Sequence, residues 1–289
     1  MTAKLKLNQR IMTWKAHPAS FVFFLLTCAA AAAAVGVFLL LIGYILVRGV
    51  PYLTPELFAW DFTTENASMT PALITTLEMV ALSLAIAAPL GIACAVYLVE
   101  YAKRGNKLVG LIRVTTETLA GIPSIVYGLF GMLFFVTYLH WGYSLLAGAF
   151  TLAIMVLPLI IRSTEEALKA VDDSWREASF GLGAGKLRTI SRVVLPAAVN
   201  GILAGIILAV GRIVGETAAL VYTAGTVAQI PDNVLSSART LSIHMYSLSN
   251  SGLYMNQAAA TAVVLVLMVI LINAAAGLIA GRISRASKA

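Results

Sequence analysis

Apolar residues gather into six long runs along this chain, residues 21–47, 73–99, 114–139, 143–161, 197–224 and 258–280. A membrane-crossing helix needs about 20 predominantly apolar residues, so each run is long enough to span. The pattern predicts an all-α integral membrane protein with six transmembrane helices. Little chain is left for a separate soluble domain. One six-span domain over residues 21–281 is expected, between an N-terminal tail, 1–20, and a C-terminal tail, 282–289. The third connection, residues 140–142, is so short that spans three and four must form a tight helical hairpin. In the fifth connection Leu241, Met245 and Leu248 recur at helical spacing, which predicts a short amphipathic helix. It would rest on the membrane surface or contact an external partner.

Composition agrees with the runs. The chain is 60% hydrophobic and 11% charged, where a soluble domain carries about 25% charged residues. The net charge of +7 invites a nucleic-acid reading, but the positions of the charges oppose it. Seventeen of the twenty Lys and Arg fall in the N-terminal tail, the second loop, the fourth loop and the C-terminal tail. The opposite side holds only Arg48 and Arg239, and Arg212 lies inside the fifth run. Alternation of this kind puts both termini in the cytoplasm. The first run has a basic start and an alanine stretch, residues 29–34, as a signal peptide might. It is about twice the length of a usual signal core, and its removal would spoil the charge alternation, so it is expected to remain as the first span. Cys28 and Cys94 lie in the first two runs with no second Cys or His at ligand spacing, as small apolar packing residues do.

The longest cytoplasmic loop, residues 162–196, is expected to be helix-rich. It contains Glu177-Ala178-Ser179, three residues, Gly183, nine residues, then Val193-Val194-Leu195-Pro196. Ser174 with Glu177 three residues on fits a capping box for a helix over 175–182. Gly181 and Gly183 would end that helix, and Leu195-Pro196 would open the fifth span. Ala178, Ser179 and Gly183 leave room for close approach by another protein. Gly183-Ala184-Gly185-Lys186 mimics a phosphate-binding loop, but Phe180 stands where that motif needs Gly and Leu187 where it needs Ser or Thr. The chain is therefore expected not to hydrolyse ATP.

Three further features carry chemistry. Gly121-Ile122-Pro123-Ser124 interrupts the third run near its cytoplasmic end. Proline breaks the helix ladder, and broken backbone within a membrane needs cover from protein or a water-filled cavity, so a gate or a packing kink is expected there. In the fifth run Arg212 and Glu216, four apart, would be neighbours on a helix face. Gly201, Gly205 and Ala209 would share that face and admit another helix closely, placing Arg212 on a seam between two subunits. An arginine fork suits oxyanions, and charges at depth tend to mark transport pathways; a structural ion pair is the other possibility. Glu78, in the second run, would be a second partner for Arg212, and Glu117 would lie near the cytoplasmic surface. Arg162 and Glu165, where span four meets the cytoplasm, would line an inner vestibule or form an interfacial pair.

The segment from Glu177 to Pro196 resembles the EAA coupling loop of ABC importer permeases. Tyr97-Leu98-Val99-Glu100-Tyr101, the stretch from Gly121 to Leu129, Ile161-Arg162-Ser163-Thr164-Glu165 and Gly215-Glu216-Thr217-Ala218-Ala219 are similar to the phosphate (Pst) permeases. Tyr222-Thr223-Ala224 leans toward the A-type subunit. The resemblance implies the type I importer fold in the bacterial cytoplasmic (inner) membrane. It implies a second permease of the C-type, two ATP-binding subunits and an external phosphate-binding protein, with no nucleic acid involved. ATP and Mg would sit on the partner ATPase and no cofactor on this chain. It also implies that Arg212, Glu216, Arg162 and Glu165 are tied to transport. A permease for molybdate, sulfate or phosphonate, a secondary transporter, and a membrane anchor are the alternatives.

Overall fold

The structure, a computed structural model, describes residues 18–102 and 105–286. Most of the N-terminal tail, Lys103, Arg104 and Lys288 lie outside the described residues. The first apolar run folds as α1 (Pro18–Gly49). The second forms α2 (Thr70–Val96), prolonged by a π-helical turn, Tyr97–Tyr101. The fourth forms α5 (Leu145–Lys169), whose Ser144 hydroxyl accepts from the Ala147 amide and caps the helix start. α8 (Leu195–Val214) carries the fifth run and α11 (Met255–Ala286) the sixth. Pro18 already belongs to α1, and α11 passes Arg282, so the helices take in residues assigned above to the tails.

The third run departs from a straight span. It divides into α3 (Lys107–Ala120) and α4 (Ser124–Gly131), the latter prolonged by a π turn, Met132–Tyr138. The two halves meet at 105°, far beyond a packing kink. Gly121 and Ile122 close the first half through bonds to Thr118 O and Leu119 O, and Pro123 is extended at ψ 142°. The Tyr127 hydroxyl donates back to Leu119 O at 2.7 Å and braces the corner. Among the described residues five helices are thus long and apolar enough to cross a membrane, and there are six crossings if this bent pair is one span.

α5 is the centre. About two thirds of its most apolar stretch is buried, against 33% for α2 and none for α1. α2 and α8 pack along it, with Met79, Leu152, Met155, Ile160 and Ile213 in the common core. α11 packs on α8, and α1 leans on α11 from outside.

One further expectation changes. The helix that carries span five starts at Lys186, not at Leu195-Pro196: α7 (Lys186–Thr189) and a π turn, Ile190–Val194, run without interruption into α8. Pro196 follows a stretch whose hydrogen-bond ladder is already out of step, so its missing N–H disrupts little. The outer helix α10 (Leu241–Ser251) is buried along one face, while Tyr246, Ser249 and Asn250 stay exposed on the other. Leu241, Ile243 and His244 are fully buried, and the Thr76 hydroxyl accepts from the Leu241 amide at 2.8 Å, pinning α10 to α2.

Candidate functional site

The outer part of the site starts where α8 stops. Gly215 caps α8, so Arg212 and Glu216 do not share a helix face and form no ion pair. Glu216 is nearly buried, and its Oε1 accepts from the Ala219 amide at 3.1 Å, at the start of the short helix α9 (Ala218–Val221). Its carbonyl accepts from the Ser242 hydroxyl at 2.6 Å. Glu216 therefore organises the broken backbone beyond α8. Arg212 is exposed, on a stripe with Ala204 and Leu208, each four residues apart, and among the described residues it has no ion pair. The small-residue face does not meet another subunit. A Cβ at Gly201 would lie 2.5 Å from Ala167 Cβ, and one at Gly205 would strike the Ser163 side chain; this face is packed against α5 of the same chain.

The second broken span meets the first. A Cβ at Gly128 in α4 would lie 2.8 Å from the Ala219 Cα, so α4 and α9 touch through backbone. Glu78 is not a partner of Arg212. It lines a groove with Leu145, Pro231, Asp232 and Val234, and its Oε2 is buried without a hydrogen bond.

At the cytoplasmic end Arg162 and Glu165 do not pair with each other. Glu165 accepts from Arg113 at 2.7 Å and from Lys169 at 2.6 Å, while Arg162 pairs with Glu166 at 3.1 Å. The reason is helical direction: four-residue spacing brings 162 to 166 and 165 to 169, and the bend at Pro123 brings α3 and Arg113 alongside α5. These side chains and Glu117 line a cavity of about 240 Å³. Three cations and three carboxylates balance its charge.

The coupling segment is α6 (Asp173–Gly181). Its cap is Asp172 rather than Ser174: the Asp172 carboxylate accepts from the Ser174 amide at 2.8 Å. Hydrogen bonds from the Ser174 hydroxyl and amide hold Asp172 below the usual carboxylate range. Proximity favours this cap over the longer reach to Glu177, which stays exposed. Gly183, at φ +81°, turns the chain after α6, a conformation for which glycine is suited. Leu195 and Pro196 lie further along, inside the helix of span five. Ala178 is exposed and Ser179 half-buried, its hydroxyl 2.9 Å from that of Thr189. Around them Trp175, Leu182 and Leu187 stand in solvent, Leu182 at 90% exposure. These side chains form an exposed apolar knob outside the bundle, of the kind that marks interaction surfaces.

Sequence reasoning missed the anchor of this knob. Arg176 donates from Nε and Nη2 to Glu100 at 3.1 and 2.8 Å. The one available signal was an arginine between Trp175 and Glu177, and it did not identify the distant partner.

The chain matches the family described as binding-protein-dependent transport system inner membrane component over residues 87–288. It is 35% identical over 272 residues to the probable ABC transporter permease protein YqgI of Bacillus subtilis (strain 168), covering 86% of this chain and 90% of that one. It is 41% identical over 154 residues to the phosphate transport system permease protein PstA 1 of Mycobacterium tuberculosis (strain CDC 1551 / Oshkosh). That match covers 53% of this chain and 50% of the relative, about half of its length. The solved structure of a bacterial alginate ABC transporter, in complex with an alginate pentasaccharide-bound periplasmic protein, shares the fold. Its TM-score is 0.67 at 16% identity, over 94% of this chain and 98% of that one.

Proposed function

This chain belongs to the binding-protein-dependent transport system inner membrane components, and on that premise we propose that it is the permease subunit of an ATP-driven importer of inorganic phosphate. It forms half of the translocation pathway in the inner membrane. The observation that carries the reading is Arg212. A permanently charged fork stands exposed on a membrane helix, with no ion pair among the described residues. Isolated charge in this setting is costly, and a passing oxyanion offsets it while bound. Weak holding is what conduction requires. The similarity to PstA 1 supports phosphate as that oxyanion.

The second half of the pathway comes from another permease, the C-type paralogue, facing the Arg212 stripe. The α6 knob docks on one of two ATP-binding subunits, which hold ATP and Mg; this chain hydrolyses nothing itself. A phosphate-loaded binding protein engages the outer connections. ATP-driven closure of the ATPases then moves α6, the spans rock, and the anion passes Arg212 to the vestibule of Arg162 and Glu165. Glu216 keeps the broken backbone beside Arg212 in place. The corner at Gly121, Pro123 and Ser124 gives the pathway a joint.

The test is phosphate uptake into vesicles holding this chain with the second permease, the ATPases and the binding protein. Uptake should require ATP, and excess sulfate, molybdate or phosphonate should not compete. Ala178→Asp, which puts a charge into the docking face, should lose coupling. Uptake without the ATPase, or an Ala178→Asp complex that behaves as wild type, would sink the proposal; competition by another oxyanion would reassign the substrate.

A further inference from the structure

α6 carries the docking knob, yet none of its residues is buried. Apolar packing therefore does not set its position relative to the bundle, and polar ties must do so. One side chain supplies most of them. Arg176 is 13% exposed and its partner Glu100 is 9% exposed. Besides the two bonds to Glu100, Nη2 donates to Leu168 O at 2.9 Å and Nη1 donates to Val171 O at 2.7 Å. Nη1 also reaches Asp173 Oδ1 in the first turn of α6 at 3.0 Å. Leu168 belongs to the last turn of α5 and Val171 follows it, where the carbonyls outside the regular helix ladder and the helix dipole favour a cation. A single guanidinium thus fastens α6 to the cytoplasmic ends of α2 and α5. The fork shape is essential, because five donors in a rigid plane satisfy these acceptors at once and an ammonium cannot.

The position of the far end of the tie matters as much. Glu100 lies on the π turn Tyr97–Tyr101 that prolongs α2. The other tie of α6, between the Ser179 and Thr189 hydroxyls, ends at the residue just before the π turn Ile190–Val194 of span five. π turns carry a strained, shifted ladder and recur at functional sites. Next to them Ala95, Leu168, Val194, Ala198 and Ile202 pack into one buried cluster shared by α2, α5 and span five, Val194 being the last residue of the second π turn. The coupling helix thus grips two spans at soft turns beside a close-packed layer.

We infer that the Arg176–Glu100 clamp is the joint that transmits displacement of α6 to spans two and four, with Ser179 and Thr189 making the lesser joint to span five. Arg176 and Glu100 are positioning residues; they touch neither the transported anion nor ATP. This inference rests on the reading of α6 as the ATPase-docking helix.

The test compares wild type, Arg176→Lys, Glu100→Ala and the double variant in the assembled complex in vesicles, measuring ATP hydrolysis and phosphate uptake together. Both single variants should assemble and keep hydrolysing ATP, with uptake per ATP down about tenfold, and the double variant should be no worse than either. KM for phosphate should stay at the wild-type value, since the anion's own contacts are untouched. Wild-type uptake per ATP in the single variants, or losses that multiply in the double variant, would overturn the joint. Loss of assembly in both singles would make the pair a determinant of folding and overturn it as well. Failure of the docking reading looks different: there wild type itself would show no ATP-dependent uptake, or Ala178→Asp would couple normally.

Discussion

The two ends of the molecule treat charge in opposite ways. All five ion pairs among the described residues lie at the cytoplasmic end, and two of them join elements, α3 to α5 and α6 to the π turn that prolongs α2. Toward the outer side Arg48, Arg212 and Arg239 have no ion pair; Arg48 lies over Tyr44 and Arg239 over Phe62. Pairing at one end and isolation at the other suit different tasks. A joint that moves as a unit needs its elements tied to one another. A site that receives an anion and releases it needs a cation whose charge is not already neutralised.

Removing the isolated charge is the most severe way to break this contrast. Arg212→Gln should lower phosphate uptake by about a hundredfold or more, the scale seen when a fixed donor to an anion is lost, while the complex assembles and hydrolyses ATP. Normal uptake by a well-expressed variant would mean that Arg212 lies off the pathway.

A second prediction concerns the outer end through pH. Burial, and secondarily the Arg239 charge, push the His244 imidazole down to about 4, although a bond to the Ala67 carbonyl acts the other way. With a folded value below the unfolded one, the unfolded chain takes up the proton first. Stability from this group is complete above about pH 6.5 and is lost as pH falls toward 4, a change of about 3 kcal/mol. Melting of the purified complex across that window should be steeper for wild type than for His244→Gln. Parallel curves would show that His244 is not held neutral.

The smallest effect is expected at the paired end. Arg162 and Glu166 are 73% and 67% exposed, so Arg162→Gln should change thermal stability by less than about 0.5 kcal/mol. Any loss of uptake would then report a role in the vestibule rather than in the fold. A large drop in melting temperature would contradict this distinction.

How far the site was legible follows from the range of each interaction. The loop from Glu177 to Pro196 could be recognised because its signal is local spacing, and Gly183 turns the chain as a glycine there should. The break at Pro123 was legible for the same reason, since a proline acts on its own ladder; its 105° angle was not, because neighbouring helices set the direction of the second half. The Arg212–Glu216 pair failed because helical periodicity was continued past Gly215, where α8 ends. Gly201 and Gly205 were rightly seen as a close-packing face, but periodicity carries no information about which helix occupies it.

The sequence alone determined the helical class, the apolar runs that build it and the clustering of the basic residues in alternate loops. Those depend on the length of apolar runs and on charge counted along the chain. Only the tertiary structure decided that Arg212 has no ion pair among the described residues, that Glu216 supports broken backbone, and that Arg176 reaches Glu100 across 76 positions of sequence. Partner choice between distant charges depends on where helices end and how they cross, and those are settled by packing against α5.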